Sequence, residues 1–428
     1  MQNKVSYTRH DRVGVIRIDN PPVNALGQAV RQGLLDALRE ALDDDRAEVL
    51  VLLAAGRTFI AGADIREFGK PPQAPLLPDV IAELEMSAKP LIAVLHGTAL
   101  GGGLEVALGC HWRIALAGTR VGLPEVKLGL LPGAGGTQRL PRLAGIDCAL
   151  DMITSGRFVD ADEALANGIV DDVVAEADPL QAGLAAAGQV LEGRIAPRVT
   201  GELPAPLSAY ETCARYRQQL TFDVPYLFSP FRCVDAVEAA CQLPFAEGLK
   251  RERELFRECM DSPQRGGMIH AFFAARGTHK VPGADSDASL TTLGLVGRHA
   301  LFEALAMHAD KAGVRLIDLD DDIGEAVEAC LVAPDVDATQ RQTLRDTLPT
   351  GTPWIDLTIS QGTPRDTPDM LPAQSGDATL VLSPLGVSQA ICELVDRTGN
   401  PALIQALANT LKRLKRQVVV TRDESVIA

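Results

Sequence analysis

The spacing of apolar residues predicts alternating strands and helices from the start of the chain. Residues 11–19 read as a strand, as do residues 47–55, AEVLVLLAA, whose unbroken apolar run suits a strand buried on both faces of a parallel sheet. Between them Val30, Leu34, Leu35, Leu38 and Leu42 recur about once per helical turn, and three aspartates at 43–45 close that helix with a polar stop. Residues 90–96, 101–110 and 112–117 repeat the order strand, helix, strand, so this region reads as an α/β unit.

From about 179 to 282 the pattern becomes helical, with ELFRECM (254–260) and MIHAFFAAR (268–276) as the firmest segments. VPGADSDAS (281–289) is small, polar and broken by Pro and Gly, as a linker is. Beyond it a strand (290–296), a helix (299–313) and a strand (314–320) open a second α/β domain. A chain of 428 residues exceeds the ~250–300 residues over which one hydrophobic core grows efficiently. We therefore expect a first domain at 1–190, a helical region at 191–282 that completes it, and a second domain at 283–428.

Composition narrows the function classes. A formal net charge of −15 and the lack of a Lys/Arg block argue against a nucleic-acid surface. Lys412, Arg413, Lys415 and Arg416 are expected on the solvated face of a terminal helix. Eight cysteines, with no C-x-x-C pair and no metal-ligand spacing, fit free thiols, so neither disulfides nor zinc is expected. No apolar run reaches the ~18–20 residues of a membrane span, and the N-terminus lacks the apolar core of a signal peptide. A cytoplasmic protein without membrane contact is the expectation.

The chemistry concentrates in HGTALGGGLEVALG (96–109) and GLPEVKLGLLPGAGGTQRLPRLAG (122–145). Gly101, Gly102 and Gly103 stand where a buried strand must turn into a helix, and glycine permits the tight turn and close approach of a ligand to the backbone. Free N–H groups at such a helix start receive developing negative charge. Glu105 falls in the first turn of an otherwise apolar helix; Glu125 follows Pro124, which biases Leu123 to an extended conformation and starts a short helix. Each glutamate alone also reads as ordinary charge at a helix start, but together with the glycine loops they suggest paired acid/base carboxylates.

These segments, with NPPVNAL (20–26), TFIAGADIREF (58–68) and FRCVDAVEAACQLPFAEGLKRERELFREC (231–259), resemble the crotonase (enoyl-CoA hydratase/isomerase) family. The likeness is narrowest to the hydratase half of multifunctional β-oxidation enzymes and covers roughly the first 282 residues. It implies a spiral of ββα turns that binds acyl-coenzyme A thioesters. By motif position it implies an oxyanion hole from the amides of Ala63 and Gly102, water activation by Glu105, proton transfer at C2 by Glu125, and a water site shaped by Gly133. Substrate contacts carry over to Asn24, Ala25, Leu26, Ala61, Gly62, Asp64 and Ile65, and Arg57 is the candidate cation for the phosphates of coenzyme A. The resemblance requires no metal or organic cofactor, and helices that cover their own site imply a monomer.

The second domain resembles the NAD-binding half of 3-hydroxyacyl-coenzyme A dehydrogenase, in degenerate form. Of the expected G-x-G-x-x-G only Gly297 is present, with His299 and Phe302 at the other two positions. Leu380 stands where that family carries its catalytic histidine. Loss of NAD binding and a structural role are expected; Asp318 or Asp320 near a ribose would not rescue the blocked phosphate site, and an acidic residue ending a strand is common. For the chain as a whole the readings are a 2-enoyl-coenzyme A hydratase, a Δ3,Δ2-enoyl isomerase or other crotonase reaction, and a non-catalytic acyl-coenzyme A binding scaffold.

Overall fold

The structure is a computed structural model that describes residues 4–64, 67, 70–207, 210–269, 279–285, 287–321, 325–359, 378–382, 391–396 and 399–422. Its contacts divide the chain into two compact α/β units, Met1–His270 and Ala271–Ala428.

The first unit is built on a six-stranded sheet in the order β1-β2-β3-β4-β6-β9. Its strands are β1 (Val5–His10), β2 (Val13–Ile18), β3 (Val49–Ala54), β4 (Leu91–Leu95), β6 (Trp112–Leu116) and β9 (Asp172–Val174). Only the β1–β2 hairpin is antiparallel. The apolar run at 47–55 is β3, and its alternation divides two cores. Leu50, Leu52 and Ala54 enter the main core, while Val49, Val51 and Leu53 pack with Ala182, Ala186 and Ala187 of the helix Pro179–Leu191 on the other face. The helix read from Val30, Leu34, Leu35 and Leu38 spans Gln28–Asp43 and buries those four residues. Strand β1 is an addition that the pattern at 11–19 does not reveal, because its exposed alternate positions leave a weak apolar signal.

A second, three-stranded sheet in the order β5-β7-β8 is made by β5 (Thr98–Leu100), β7 (Arg120–Gly122) and β8 (Phe158–Asp160). Strand β4 thus hands the chain to β5 in another sheet, and β6 does the same to β7. Gly97 (φ 62) and Gly118 (φ 79) make the two corners in the left-handed region. Each corner leads to a helical turn: Gly102–Leu108 after β5, and the 3-10 turn Pro124–Leu128 after β7. This repeated ββα winding is the spiral that the resemblance implies.

Helices continue with Gly136–Ser155, Tyr210–Asp223, Ser229–Gln242 and Phe245–Asp261. Val234, Val237 and Leu255 enter the main core and Phe256 lies against it, so the helical region is part of this unit. Ile269 is half-buried, and residues 270–276 lie outside the described residues.

In the second unit a seven-stranded sheet has the order β11-β10-β12-β13-β14-β15-β16. These are Arg315–Asp318 (β11), Thr292–Val296 (β10), Ala329–Val332 (β12), Trp354–Ile359 (β13), Ala378–Leu382 (β14), Ile391–Asp396 (β15) and Gln417–Arg422 (β16). All neighbours are parallel except β14 and β15. The opening strand, helix and strand fall on β10, the helix Ala300–Ala312 and β11. One expectation is corrected here. The terminal helix Pro401–Arg413 ends before the last two basic residues, Lys415 turns the chain at φ 62, and Arg416 is buried, with Nη2 donating to the Ala304 carbonyl at 3.3 Å. Leaving the helical period rotated Arg416 off the solvated face.

All eight cysteines are free thiols. No helix among the described residues is long and apolar enough to cross a membrane.

Candidate active site

The strand-to-helix turn after β5 is the scaffold of the site. Leu100 N–H donates to the Ile60 carbonyl at 3.0 Å, and Ile60 bridges Ala99, so the segment 60–63 runs beside β5 toward the turn. Leu26 joins the two: its N–H donates to the Gly62 carbonyl at 3.0 Å, it bridges Ala63, and its side chain reaches 3.3 Å from where a Cβ on Gly102 would stand. Ala63 is exposed. Gly102 is the first residue of its helix, so its N–H has no carbonyl behind it within that helix. Residues 24–26, 61–64 and 102 therefore meet in space.

Within this group Asn24 has a holding role. It adopts φ 52, its Nδ2 donates to the carbonyls of Ala55 (2.8 Å) and Thr58 (2.9 Å), and its Oδ1 accepts from Asn20 N–H at 2.8 Å. Ala25 accepts from Asn20 Nδ2 at 2.9 Å, and Ala61 donates to the Val23 carbonyl at 3.1 Å. Asp64 is buried, Arg57 stands exposed on the preceding loop, and Ile65 lies outside the described residues.

Gly101 sits at φ 53, and a Cβ there would lie 2.8 Å from Glu125 Oε1, so glycine is required both by the turn and by the carboxylate beside it. Glu105 follows one turn later, its N–H donating to the Gly101 carbonyl at 3.0 Å. Its side chain is buried, and Oε1 accepts the N–H groups of Ala134 (2.7 Å) and Gly136 (2.9 Å) from the PGAGG loop. Both donors use one oxygen. Burial pushes the Glu105 carboxyl above the usual range, opposed by these two N–H groups, Arg139 and Arg253. Burial raises Glu125 further, with the charges of Glu105 and Glu252 adding to it, and its Oε2 is buried without a hydrogen-bond partner. Two carboxyl groups thus hold protons more tightly than exposed glutamates do, for the reason general acids and bases need.

A further buried carboxylate beside Glu105, that of Glu252, is not singled out by the motifs. Its Oε1 accepts Gly135 N–H at 2.7 Å, and its Oε2 accepts Thr137 N–H at 3.0 Å and the Thr137 hydroxyl at 2.5 Å. Burial and the charge of Glu105 push it up to about 8. A signal existed: Gly248, Glu252, Leu255 and Cys259 form the buried stripe of an otherwise highly charged helix, and an acid on such a stripe needs partners. Gly133, in the same loop, has no room for a side chain because the Phe256 ring occupies that space. Arg139 is buried nearby, paired with Glu85 through Nη2 to Oε2 at 2.6 Å and donating Nη1 to the Ala134 carbonyl at 3.2 Å.

In the second unit the turn after β10 carries its own carboxylates. Gly297 N–H donates to Asp320 Oδ2 at 3.0 Å, and Arg298 N–H to Asp335 Oδ2 at 3.4 Å. His299 caps the following helix, its Nδ1 accepting Leu301 N–H at 3.1 Å, while Phe302 and Leu380 are buried in that unit's core. Among the described residues there is no group of His, Cys, Asp and Glu that could hold a metal ion.

Residues 8–266 match the family described as enoyl-CoA hydratase/isomerase. The human peroxisomal bifunctional enzyme is 40% identical over 338 residues, covering 76% of this chain and 46% of the human protein. The zebrafish (Danio rerio) peroxisomal bifunctional enzyme is 43% identical over 271 residues, 63% of this chain and 37% of its own length. Among solved structures, EchA1_1 from Mycobacterium paratuberculosis is 28% identical, with 63% of this chain and 96% of that chain covered at a TM-score of 0.49. The chain spans less than half the length of these two curated relatives, whose names place them in peroxisomes, so the cytoplasmic expectation rests on sequence reading alone. With well over half of its residues inside the family match, the chain belongs to the enoyl-CoA hydratase/isomerase family.

Proposed function

We propose that this chain hydrates 2-enoyl-coenzyme A thioesters. The observation that carries the reading is the placement of two carboxyl groups, buried Glu105 and half-buried Glu125 with its Oε2 enclosed, beside the helix start at Gly102 and both shifted above the usual carboxylate range. The thioester oxygen accepts the N–H groups of Ala63 and Gly102. As water adds, charge builds on that oxygen, and each such donor is typically worth ~100–1000-fold in rate. Glu105 takes a proton from the water whose oxygen bonds to C3, while protonated Glu125 delivers its proton to C2. One water is consumed, and the proton gained by Glu105 returns to Glu125 through the shared site. Two amides on Oε1 leave Glu105 Oε2 as the atom available to the water.

The reaction needs no metal or organic cofactor. Nor do the residues of the second unit fit NAD: the Gly297 amide that would meet a pyrophosphate is held by the anionic Asp320, and His299 fills the cap position. This unit therefore serves a structural role, and the substrate is an acyl-coenzyme A.

The test is disappearance of the conjugated enoyl-thioester absorbance with crotonyl-coenzyme A. Conversion of a 3-enoyl to a 2-enoyl thioester without hydration would favour the isomerase, and binding without turnover of either would favour a scaffold.

A further inference from the structure

Helix Phe245–Asp261 reaches the PGAGG loop with one face. Leu249 lies 3.1 Å from where a Cβ on Gly135 would stand, Glu252 takes the Gly135 and Thr137 amides, and Phe256 fills the space beside Gly133. Along the loop the amides alternate: Ala134 and Gly136 point to Glu105, Gly135 and Thr137 to Glu252. One five-residue loop is thus gripped from both sides by buried carboxylates. Neither grip is independent, because moving one set of N–H groups by a fraction of an ångström turns the other. Gln138 Nε2 adds a 3.0 Å bond to the Thr137 hydroxyl, which leaves that hydroxyl to donate to Glu252.

We propose that Glu252 is a positioning residue for the hydration step: it holds residues 133–137 so that Ala134 and Gly136 keep Glu105 aimed at the attacking water. This rests on the hydratase reading. It also ties the helical segment beyond residue 190 to the chemistry rather than to covering the site alone. The charged groups around the loop are Glu105 from the helix Gly102–Leu108, Glu125 from the 3-10 turn, Arg139 from the helix Gly136–Ser155, and Arg253 beside Glu252. Above about pH 8, where Glu252 ionises, its charge holds the Glu125 proton more tightly, so removing Glu252 lets Glu125 release its proton more easily there.

The experiment compares Glu252→Gln, Glu252→Asp and Thr137→Val with the wild-type full chain. Kinetics on crotonyl-coenzyme A across pH are read alongside hydrogen exchange of the peptide covering 131–140. Glutamine presents an NH2 to one of the two amides, so its kcat should fall by ~10- to 100-fold, the usual effect of losing a supporting partner, with KM changed far less. The alkaline limb of its rate profile should move to lower pH, and the loop peptide should exchange faster. Aspartate keeps the charge and should restore the alkaline limb while kcat stays low. Unchanged kcat, pH limbs and exchange in Glu252→Gln would overturn the proposal. So would a lower kcat with exchange and both limbs unchanged, which would make the role purely structural. If Glu252→Gln does not fold, Glu252→Asp and Thr137→Val decide by the same readouts. A wild-type chain that hydrates nothing would instead overturn the hydratase reading, and loop exchange would then judge the hold on Glu105 by itself.

Discussion

Glu105→Gln and Glu105→Ala should separate the catalytic from the structural work of one side chain. Both hydrogen bonds to Glu105 converge on Oε1, so a glutamine placed with its oxygen there keeps the Ala134 and Gly136 N–H groups satisfied and puts NH2 only where the reacting oxygen was. The fold should be retained, with a melting temperature at or above that of the wild type because a buried, proton-hungry carboxyl has been removed. Hydration should fall by ~100-fold or more, at least ~2.7 kcal/mol of transition-state stabilisation, since no base remains to receive the water proton. Alanine removes the acceptor as well. Two buried N–H groups then lack a partner at ~1–3 kcal/mol each, and the first unit should melt lower by ~2–4 °C per kcal/mol lost. Initial rates with crotonyl-coenzyme A and thermal melts followed by circular dichroism provide both readouts. A glutamine variant that turns over within a few-fold of wild type would remove Glu105 from the mechanism. A glutamine variant as unstable as the alanine variant would refute the assignment of both bonds to one oxygen.

Glu125→Gln should also cost ~100-fold or more in hydration while leaving the melting profile intact, because Oε2 has no hydrogen-bond partner to lose; near-normal turnover would exclude it as the acid. The raised Glu252 carboxyl should make stability pH-dependent: its protonated form is favoured in the fold, so its contribution is full below the ordinary value of 4.5 and is lost as pH rises from there through about 8. Denaturant titrations should show stability falling by up to a few kcal/mol across that window, with Glu252→Gln flattening the profile; an unchanged slope in that variant would place the titration elsewhere. A chain ending near residue 225 should lose solubility or substrate affinity, because it removes Val234, Val237 and Leu255 from the main core and exposes the apolar residues they cover; a soluble truncate with an unchanged Michaelis constant would refute that. NADH titrated by calorimetry should bind more weakly than ~1 mM, or less than ~4 kcal/mol, and micromolar binding with oxidation of 3-hydroxybutyryl-coenzyme A would reverse the reading of the second unit.

The linear chain carried a large share of this. Local periodicity predicted β2, β3, β4 and the helix Gln28–Asp43, because a run buried on one or both faces must show its period in the residues themselves. The glycines at 101–103 and the acids Glu105 and Glu125 were legible for the same reason: a tight turn and an ionisable group in an apolar context are both local anomalies. What only the tertiary structure decided is which separate segments share a surface. The meeting of Leu26, Ala63 and Gly102, the convergence of two amides on one oxygen of Glu105, and the further carboxylate 147 positions after it in the chain all depend on long-range packing. Arg416 shows the converse, since a basic run looks solvated until one residue turns at φ 62 and carries its neighbour inward. A hydrogen bond needs two partners, and a sequence displays only one of them at a time; the second is chosen by the fold.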